Sequence, residues 1–398
     1  MKSLNLLTST FLLTILLFSC KKDEPTEFCD PTLQFSAEEF VNQIESRLES
    51  QSIIGYQFAV NQGGNLYHDQ STGLARHEND PGGPVDIDAS TRFNAASIAK
   101  FIATIALLNA MEDNNISLDY DFMDYLPLSW HDQADPGHQY TFRELLTHQT
   151  AINFLGSLPA GDVHTETQLL QALTDPPNAG RLGAYQNGNF NLVRVLIGEI
   201  VYNLELDSAG NYANSNICTD KYFEYIDLEI FQKLNLGAPV SAQSINNYYN
   251  SNYPYAYQYP FDSTFTNPAD GSLGWRHSNN PYTTGGAAGL MLSALDIAKI
   301  MAFFKHDNSE LIVSTASRDK ILEFELGLFN SISGEHGRYQ CKRGTRGPDD
   351  CCNRAIQSIL MFFPNGVEAV ILTNSRHNDM DNLLKDAYDA SWIDPCKP

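Results

Sequence analysis

The sequence predicts an α/β fold of the α+β kind: an antiparallel sheet flanked by N- and C-terminal helices, with a mainly helical region inserted between its two halves. Three observations carry this. "IGYQFAVNQGGNLYHDQSTGLAR", from residue 54, alternates apolar and polar positions around a Gly-Gly turn, as a β-hairpin does. "AIQSILMFFPNGVEAVILTN", from residue 355, reads as two more strands around a Pro-Asn-Gly turn. Between them, apolar residues recur at helical spacing in "NFNLVRVLIGEIVYNL", "KYFEYIDLEIFQKLNLG" and "LSALDIAKIMAFFKH". Strands from both chain ends and helices from the middle make a sheet beside an inserted lobe. Ligands tend to sit in clefts between such lobes.

Taken in order, the chain opens with "MKSLNLLTSTFLLTILLFSC", one lysine followed by an apolar run from Leu4 to Phe18 and a small Ser19. Such a stretch is a secretory signal, too short and wrongly flanked for a spanning helix. Its end, "LFSC", resembles a bacterial lipobox, in which residues 1–19 are removed and diacylglycerol is carried on the sulfur of Cys20. That implies a bacterial cell-envelope protein, lipid-anchored to the outer membrane on its periplasmic or outer side. Residues 20–35, including the polar "KKDEPTEFCDP", read as a tether. The domain proper spans 36–398, with an α/β part at 36–115 and 300–398 and the helical insertion at 116–299. "SAEEFVNQIESRLESQ" opens it as a Ser-capped helix with acids in its first turn, and "DNLLKDAYDASWI" closes it as another.

Composition excludes several classes of function. With 398 residues and 42% hydrophobic content the chain has ample material for a core. Its 25 Lys and Arg stand against 48 Asp and Glu, a net charge of −23 that argues against nucleic acid as a partner. Besides Cys20 there are Cys29, Cys218, Cys341, Cys351, Cys352 and Cys396, an even set that in an exported chain favours disulfides over metal. No zinc-type spacing and no HExxH occurs, so neither a metal nor a cofactor is expected.

The chemistry concentrates in "FNAASIAKFIATIALLNAM", residues 93–111. From Ser97 to Met111 it is apolar on nearly every face, the pattern of a buried helix, yet Lys100 stands in the first turn. An ammonium removed from water must be paired or neutralised. Ser97 and Lys100, three apart, share a helix face, so a neutral lysine is placed to act as base for a serine hydroxyl. The helix N-terminus meanwhile presents unpaired N–H groups to developing negative charge. The Ser-x-x-Lys pattern recurs at Ser19 and Ser317, across the cleavage site and in the charged "ASRDK", so by itself it is a weak signal.

Two further motifs strengthen it. "YQNGNFNLVRVLIGEI" sets Tyr185 and Asn187 before an apolar helix, and "CKRGTRG" sets Lys342 and Gly344 on a short strand before the last two. In this order the trio resembles the Ser-x-x-Lys, Tyr-x-Asn and Lys-Thr-Gly motifs of the serine β-lactamase and penicillin-binding protein superfamily, nearest to class C enzymes and their esterase and peptidase relatives. The resemblance covers roughly residues 36–395 and includes "ISLDYDFMDYLP", "TFRELLTHQT", "GGAAGLMLSALDIAKIM" and "FFPNGVEAVILTN". It implies a β-lactamase/transpeptidase-like fold and a serine hydrolase working through an acyl-enzyme on an ester, amide or peptide. An esterase or D-amino-acid peptidase is implied as much as a true β-lactamase. A slowly acylating penicillin-binding or sensor protein on the same fold is the alternative.

By the same resemblance Ser97 is the nucleophile, and Lys100 and Tyr185 share proton transfer as base and acid. Asn187 orients substrate and Lys100, while Lys342 keeps the Tyr185 phenol in an electropositive setting. The backbone N–H groups of Ser97 and of Thr345, after the Lys-x-Gly triplet, form the oxyanion hole, each donor worth about 3 kcal/mol. The resemblance also sets the terminal helices side by side, implying a Cys29–Cys396 bridge. Cys341 would pair with Cys351 or Cys352, leaving the other for Cys218.

The chain departs from the family at Arg343, a long cation where a small hydroxyl usually stands, placed either to pair with a substrate carboxylate or to obstruct the pocket. "PDDCCNR" after Gly347 looks inserted, and His336-Gly337 is a rival for the third motif. Arg338, Lys342, Arg343, Arg346 and Arg354 crowd around that motif, which suggests either recruitment of a carboxylate-bearing substrate or pairing with acids of the surface. No Gly-x-Ser-x-Gly elbow exists, so His148 reads as a structural turn residue. Six tyrosines between 248 and 259 suggest either an aromatic wall beside the cleft or a loop packed on its own domain.

Overall fold

The computed structural model describes residues 32–154, 165–204, 216–251, 253–267, 271–276, 280–329, 331–347, 353–377 and 379–395. The leader, most of the tether and Cys20 lie outside the described residues, as do Cys29, Cys351, Cys352 and Cys396, so each inferred disulfide has at least one partner there.

The strands of the main sheet come from the two hairpin regions anticipated above and their immediate flanks. They are β1 (Gly55–Gln62), β2 (Asn65–Arg76), β3 (Val85–Asp86), β4 (Ile332–Gly334), β5 (Gly337–Arg346), β6 (Ile356–Phe362) and β7 (Val367–Thr373). Their spatial order is β3-β2-β1-β7-β6-β5-β4, with every pairing antiparallel. Chain ends meet at its centre, where β1 pairs β7 from Tyr56↔Thr373 to Gln62↔Val367. Both hairpins turn on glycines in the left-handed region, Gly63 and Gly64 in one (φ 57 and 80) and Gly366 in the other (φ 74).

Seven helices matter for the site: α1 (Ala37–Glu49), α2 (Ala99–Asp113), α3 (Glu166–Thr174), α4 (Asn187–Tyr202), α5 (Ile217–Ile226), α6 (Ala294–His306) and α7 (Met380–Asp389). Two adjacent phenylalanines show how the sheet is covered on both faces. Phe362 closes β6 and turns toward Phe101 of α2 and Phe304 of α6, with ring centres 5.8 and 5.5 Å away. Phe363 turns the other way, onto Phe40 of α1 and Tyr388 of α7, at 5.4 and 4.0 Å. Successive residues of a strand point to opposite faces, and each ring so buried contributes about 1.5–3 kcal/mol.

In α2 twelve of fifteen residues are buried, Lys100 among them. It lies between the sheet side and the helical region, packed on α4. A separate two-strand pairing, Phe93–Asn94 with Met291–Leu292, fixes the chain just before α2. The ends form a second small unit, in which Gln34–Phe35 pairs antiparallel with Trp392–Ile393.

The tyrosine-rich segment is packed on its own domain and builds no wall at the cleft. Tyr249, Tyr253, Tyr255 and Tyr257 are buried, and the Tyr257 hydroxyl is held by buried Asp80 at 2.7 Å. Tyrosines satisfied this way present no face to a substrate.

Candidate active site

The helix expected from Ser97 begins with a tighter 3₁₀ turn, Ala96–Ile98, before α2 proper. Three hydrogen bonds hold this turn. The Ala95 N–H donates to Leu290 O at 2.9 Å, the Ala96 N–H to the Asn94 side-chain oxygen at 2.8 Å, and the Ser358 hydroxyl to Ala95 O at 2.8 Å. Asn94 is itself held by the Tyr249 hydroxyl. So tethered, Ala96 takes a left-handed conformation, φ 47, costing roughly 1–3 kcal/mol, and lifts Ser97 to the edge of a cavity.

That cavity, about 390 Å³, is lined by Ser97, Tyr185, Asn187, Phe329, Lys342, Arg343, Gly344 and Thr345. The residues that three separate motifs supply therefore meet in one place. Lys100, 0% exposed, donates from Nζ to Ser97 Oγ at 3.1 Å, to Asn187 Oδ1 at 2.6 Å and to Ala287 O at 2.8 Å. The Tyr185 hydroxyl lies 2.7 Å from Ser97 Oγ on the other side. Ser97 Oγ thus sits within proton-transfer reach of two groups at once.

The Tyr185 ring is flanked by two lysines, Lys100 Nζ at 5.0 Å and Lys342 Nζ at 4.9 Å from its centre. Lys342 is 1% exposed, and burial pushes its amine down to about 7, with Arg343 adding to the effect. His336, the rival for the third motif, lies instead against Tyr388 of α7. It is the Lys342 end of β5 that reaches the cavity.

His148 occupies a strained turn, φ 59, where its Nδ1 accepts the Gln186 N–H at 3.3 Å. Burial, with Lys342 and Lys100 nearby, pushes its imidazole down to about 2, so it stays neutral and packs its ring 4.4 Å from that of Tyr185. It is a wall behind the tyrosine, in keeping with its reading as a turn residue. Phe329, on no recognised motif, completes that wall with its ring 5.4 Å from Tyr185 and a left-handed φ of 58. A bulky residue strained at a cavity rim is a signal legible only in coordinates.

Gly344 sits against the serine turn. A Cβ there would lie 2.5 Å from Ser97 N and 2.7 Å from Ala96 Cβ. Only glycine allows β5 to approach so closely, and the next residue, Thr345, lines the same cavity as Ser97. Arg343 reaches the other way and pairs with Asp381 of α7 at 2.6 Å. Other members of the basic cluster are also engaged: Arg338 pairs with Glu325, and Arg354 is buried with a bond to the Ser272 hydroxyl at 3.2 Å. A second cavity, about 320 Å³, opens beyond Arg343 and is lined by Thr345, Gln357, Arg376, His377 and Asp381 among others.

An antiparallel sheet with an inserted helical region carries a buried lysine bonded to serine and asparagine beneath a lysine-bearing strand, the architecture of the β-lactamase/transpeptidase-like fold. The profile of the Beta-lactamase family matches residues 40–391, and the chain belongs to that family. Among solved structures it is similar to the octameric penicillin-binding protein homologue from Pyrococcus abyssi, at 17% identity and a TM-score of 0.59, over 87% of this chain and 76% of that one. It is similar to EstCE1, a hydrolase with promiscuous acyltransferase activity, at 15% identity and a TM-score of 0.61, over 89% and 98%. A class C β-lactamase from Rhodobacter sphaeroides matches at 16% identity and a TM-score of 0.57, over 89% and 99%. No curated protein sequence matches the chain.

Proposed function

We propose that this protein is an exported, lipid-anchored serine hydrolase that forms an acyl-enzyme on Ser97. The observation that carries the reading is Ser97 Oγ held between Lys100 Nζ and the Tyr185 hydroxyl at the edge of the cavity. When the Lys100 amine is neutral, Asn187 Oδ1 and Ala287 O take its two protons and its lone pair faces Ser97. Ser97 Oγ then attacks the acyl carbon while its proton passes to Lys100 or Tyr185, and from there to the leaving alcohol or amine. Water repeats the sequence in reverse and frees the acid. Through both steps the carbonyl oxygen is held by the N–H groups of Ser97 and Thr345.

Intact-protein mass spectrometry after exposure to a fluorophosphonate, a β-lactam and activated esters tests this. A single adduct on Ser97 supports the reading, and absence of any adduct with all three reagents defeats it. A β-lactam adduct that persists would identify a penicillin-binding protein that deacylates slowly, and its rapid loss a lactamase. For the anchor, Cys20→Ala should lose palmitate labelling and leave the membrane fraction; a labelled variant would place lipid elsewhere.

A carboxylate-bearing substrate is favoured by the second cavity, where Arg343 and Arg376 outnumber Asp381 and adjoin the reacting centre through Gly344 and Thr345. Arg376→Ala should raise KM for a carboxylate ester by about tenfold and leave its neutral isostere unchanged, since charge-assisted bonds contribute about 1.5–3 kcal/mol. Equal changes for both esters would remove the carboxylate from the proposal.

Lys342 sets a pH dependence. The cation beside Tyr185 is lost as pH rises through about 7, so kcat/KM should fall on that side, whereas an anionic substrate holds the proton and moves the limb in kcat to higher pH. In Lys342→Met the limb should vanish onto a lower plateau. A limb near 7 that persists in this variant would assign the titration to another group.

A further inference from the structure

Arg194 lies two turns into α4, the helix that begins with Asn187, and is 0% exposed. A guanidinium in that position is costly, and an apolar side chain of similar volume would fill the space without the desolvation. Packing alone therefore does not account for the charge. Its surroundings show what it holds. Glu166 of α3, 7% exposed, stands as counter-charge: burial pushes its carboxyl up to about 7 and Arg194 draws it back. Nη1 donates to Gly285 O at 3.2 Å.

Gly285 starts the turn Gly285–Gly286–Ala287, which lies directly on α4. Gly286 has φ 86, and a Cβ there would lie 2.1 Å from Phe190 O. The next carbonyl, Ala287 O, is one of the acceptors of Lys100 Nζ. Helix α4 thus reaches the Lys100 amine by two routes, directly through Asn187 Oδ1 and indirectly through the turn that Arg194 ties down. Without the second acceptor the amine is free to rotate, and its lone pair no longer faces Ser97.

We propose that Arg194 is a positioning residue for Lys100, acting through the Gly285 carbonyl to hold the Ala287 carbonyl against the lysine amine. The inference rests on the acyl-enzyme reading above. Arg194 lines neither cavity at the reacting centre, so it touches no substrate there.

The test compares full-length Arg194→Met and Arg194→Lys with wild type, by rate of fluorophosphonate labelling of Ser97 and by kcat and KM across pH, with thermal melts to establish folding. In Arg194→Met, kcat should fall about tenfold with KM unchanged, as expected for a misplaced catalytic group. Lysine at 194, still a cationic donor, should recover part of the lost kcat. A folded Arg194→Met variant with wild-type kcat overturns the inference, and failure of both variants to fold makes Arg194 purely structural and overturns it too. Wild-type protein that does not label on Ser97 would defeat the acyl-enzyme reading itself, whereas labelled wild type with unmoved variants defeats only the role of Arg194.

Discussion

Ser97→Ala should abolish hydrolysis of an activated ester such as p-nitrophenyl acetate, with kcat/KM falling on the order of 10⁴-fold or more. Lys100→Ala and Tyr185→Phe should each lose on the order of 10²–10⁴, the range for a positioned proton-transfer group. Lys100 and Tyr185 both bear on one oxygen, at 3.1 and 2.7 Å, so their losses should not add: the double variant should be little worse than the weaker single. All three side chains leave the backbone unchanged, and melts within a few degrees of wild type would show that chemistry rather than folding was lost. Near-normal turnover in the serine variant, measured on protein free of wild type, would end the assignment of Ser97 as nucleophile.

Gly344→Ala should be almost as damaging, although it adds a single methyl group. That carbon would stand 2.5 Å from Ser97 N and 2.7 Å from Ser358 Oγ, far inside ordinary contact, and the nearest atom is backbone that cannot rotate aside. Either β5 retreats or the serine turn moves, and in both cases the oxyanion hole proposed at the N–H groups of Ser97 and Thr345 is disrupted. Loss of one such donor costs about 10²–10³ in kcat. The expected result is a fall of that size in kcat, with KM changed far less and the melting temperature lowered by several degrees. More than a tenth of wild-type kcat in Gly344→Ala would mean that this N–H pair does not serve the reaction.

Much of the site was legible because its parts are local patterns. Ser97 and Lys100 share a helix face by spacing alone, and Tyr185 and Asn187 stand where a helix begins. The hairpins announced themselves by alternation and by glycines at turns that need positive φ. Arg343 was legible as a departure, but its pairing with Asp381 was not; the two are 38 positions apart and joined by the packing of α7 beside β5. The tyrosine cluster left two readings open for a similar reason: aromatic density marks buried area, and only the fold decides whether that area faces a cleft or a core.

By itself the sequence determined the antiparallel hairpins, the buried helix carrying Lys100 and the order of three motifs, since each depends on residues within a few positions of one another. Tertiary structure alone decided that Ala287 O would meet Lys100, that Phe329 and His148 would wall in Tyr185, and that Arg194 would tie Gly285 to α4. Backbone carbonyls carry no signature in a sequence, because every residue has one. Which of them faces a buried amine follows from long-range packing that brings residues 187 positions apart within 2.8 Å.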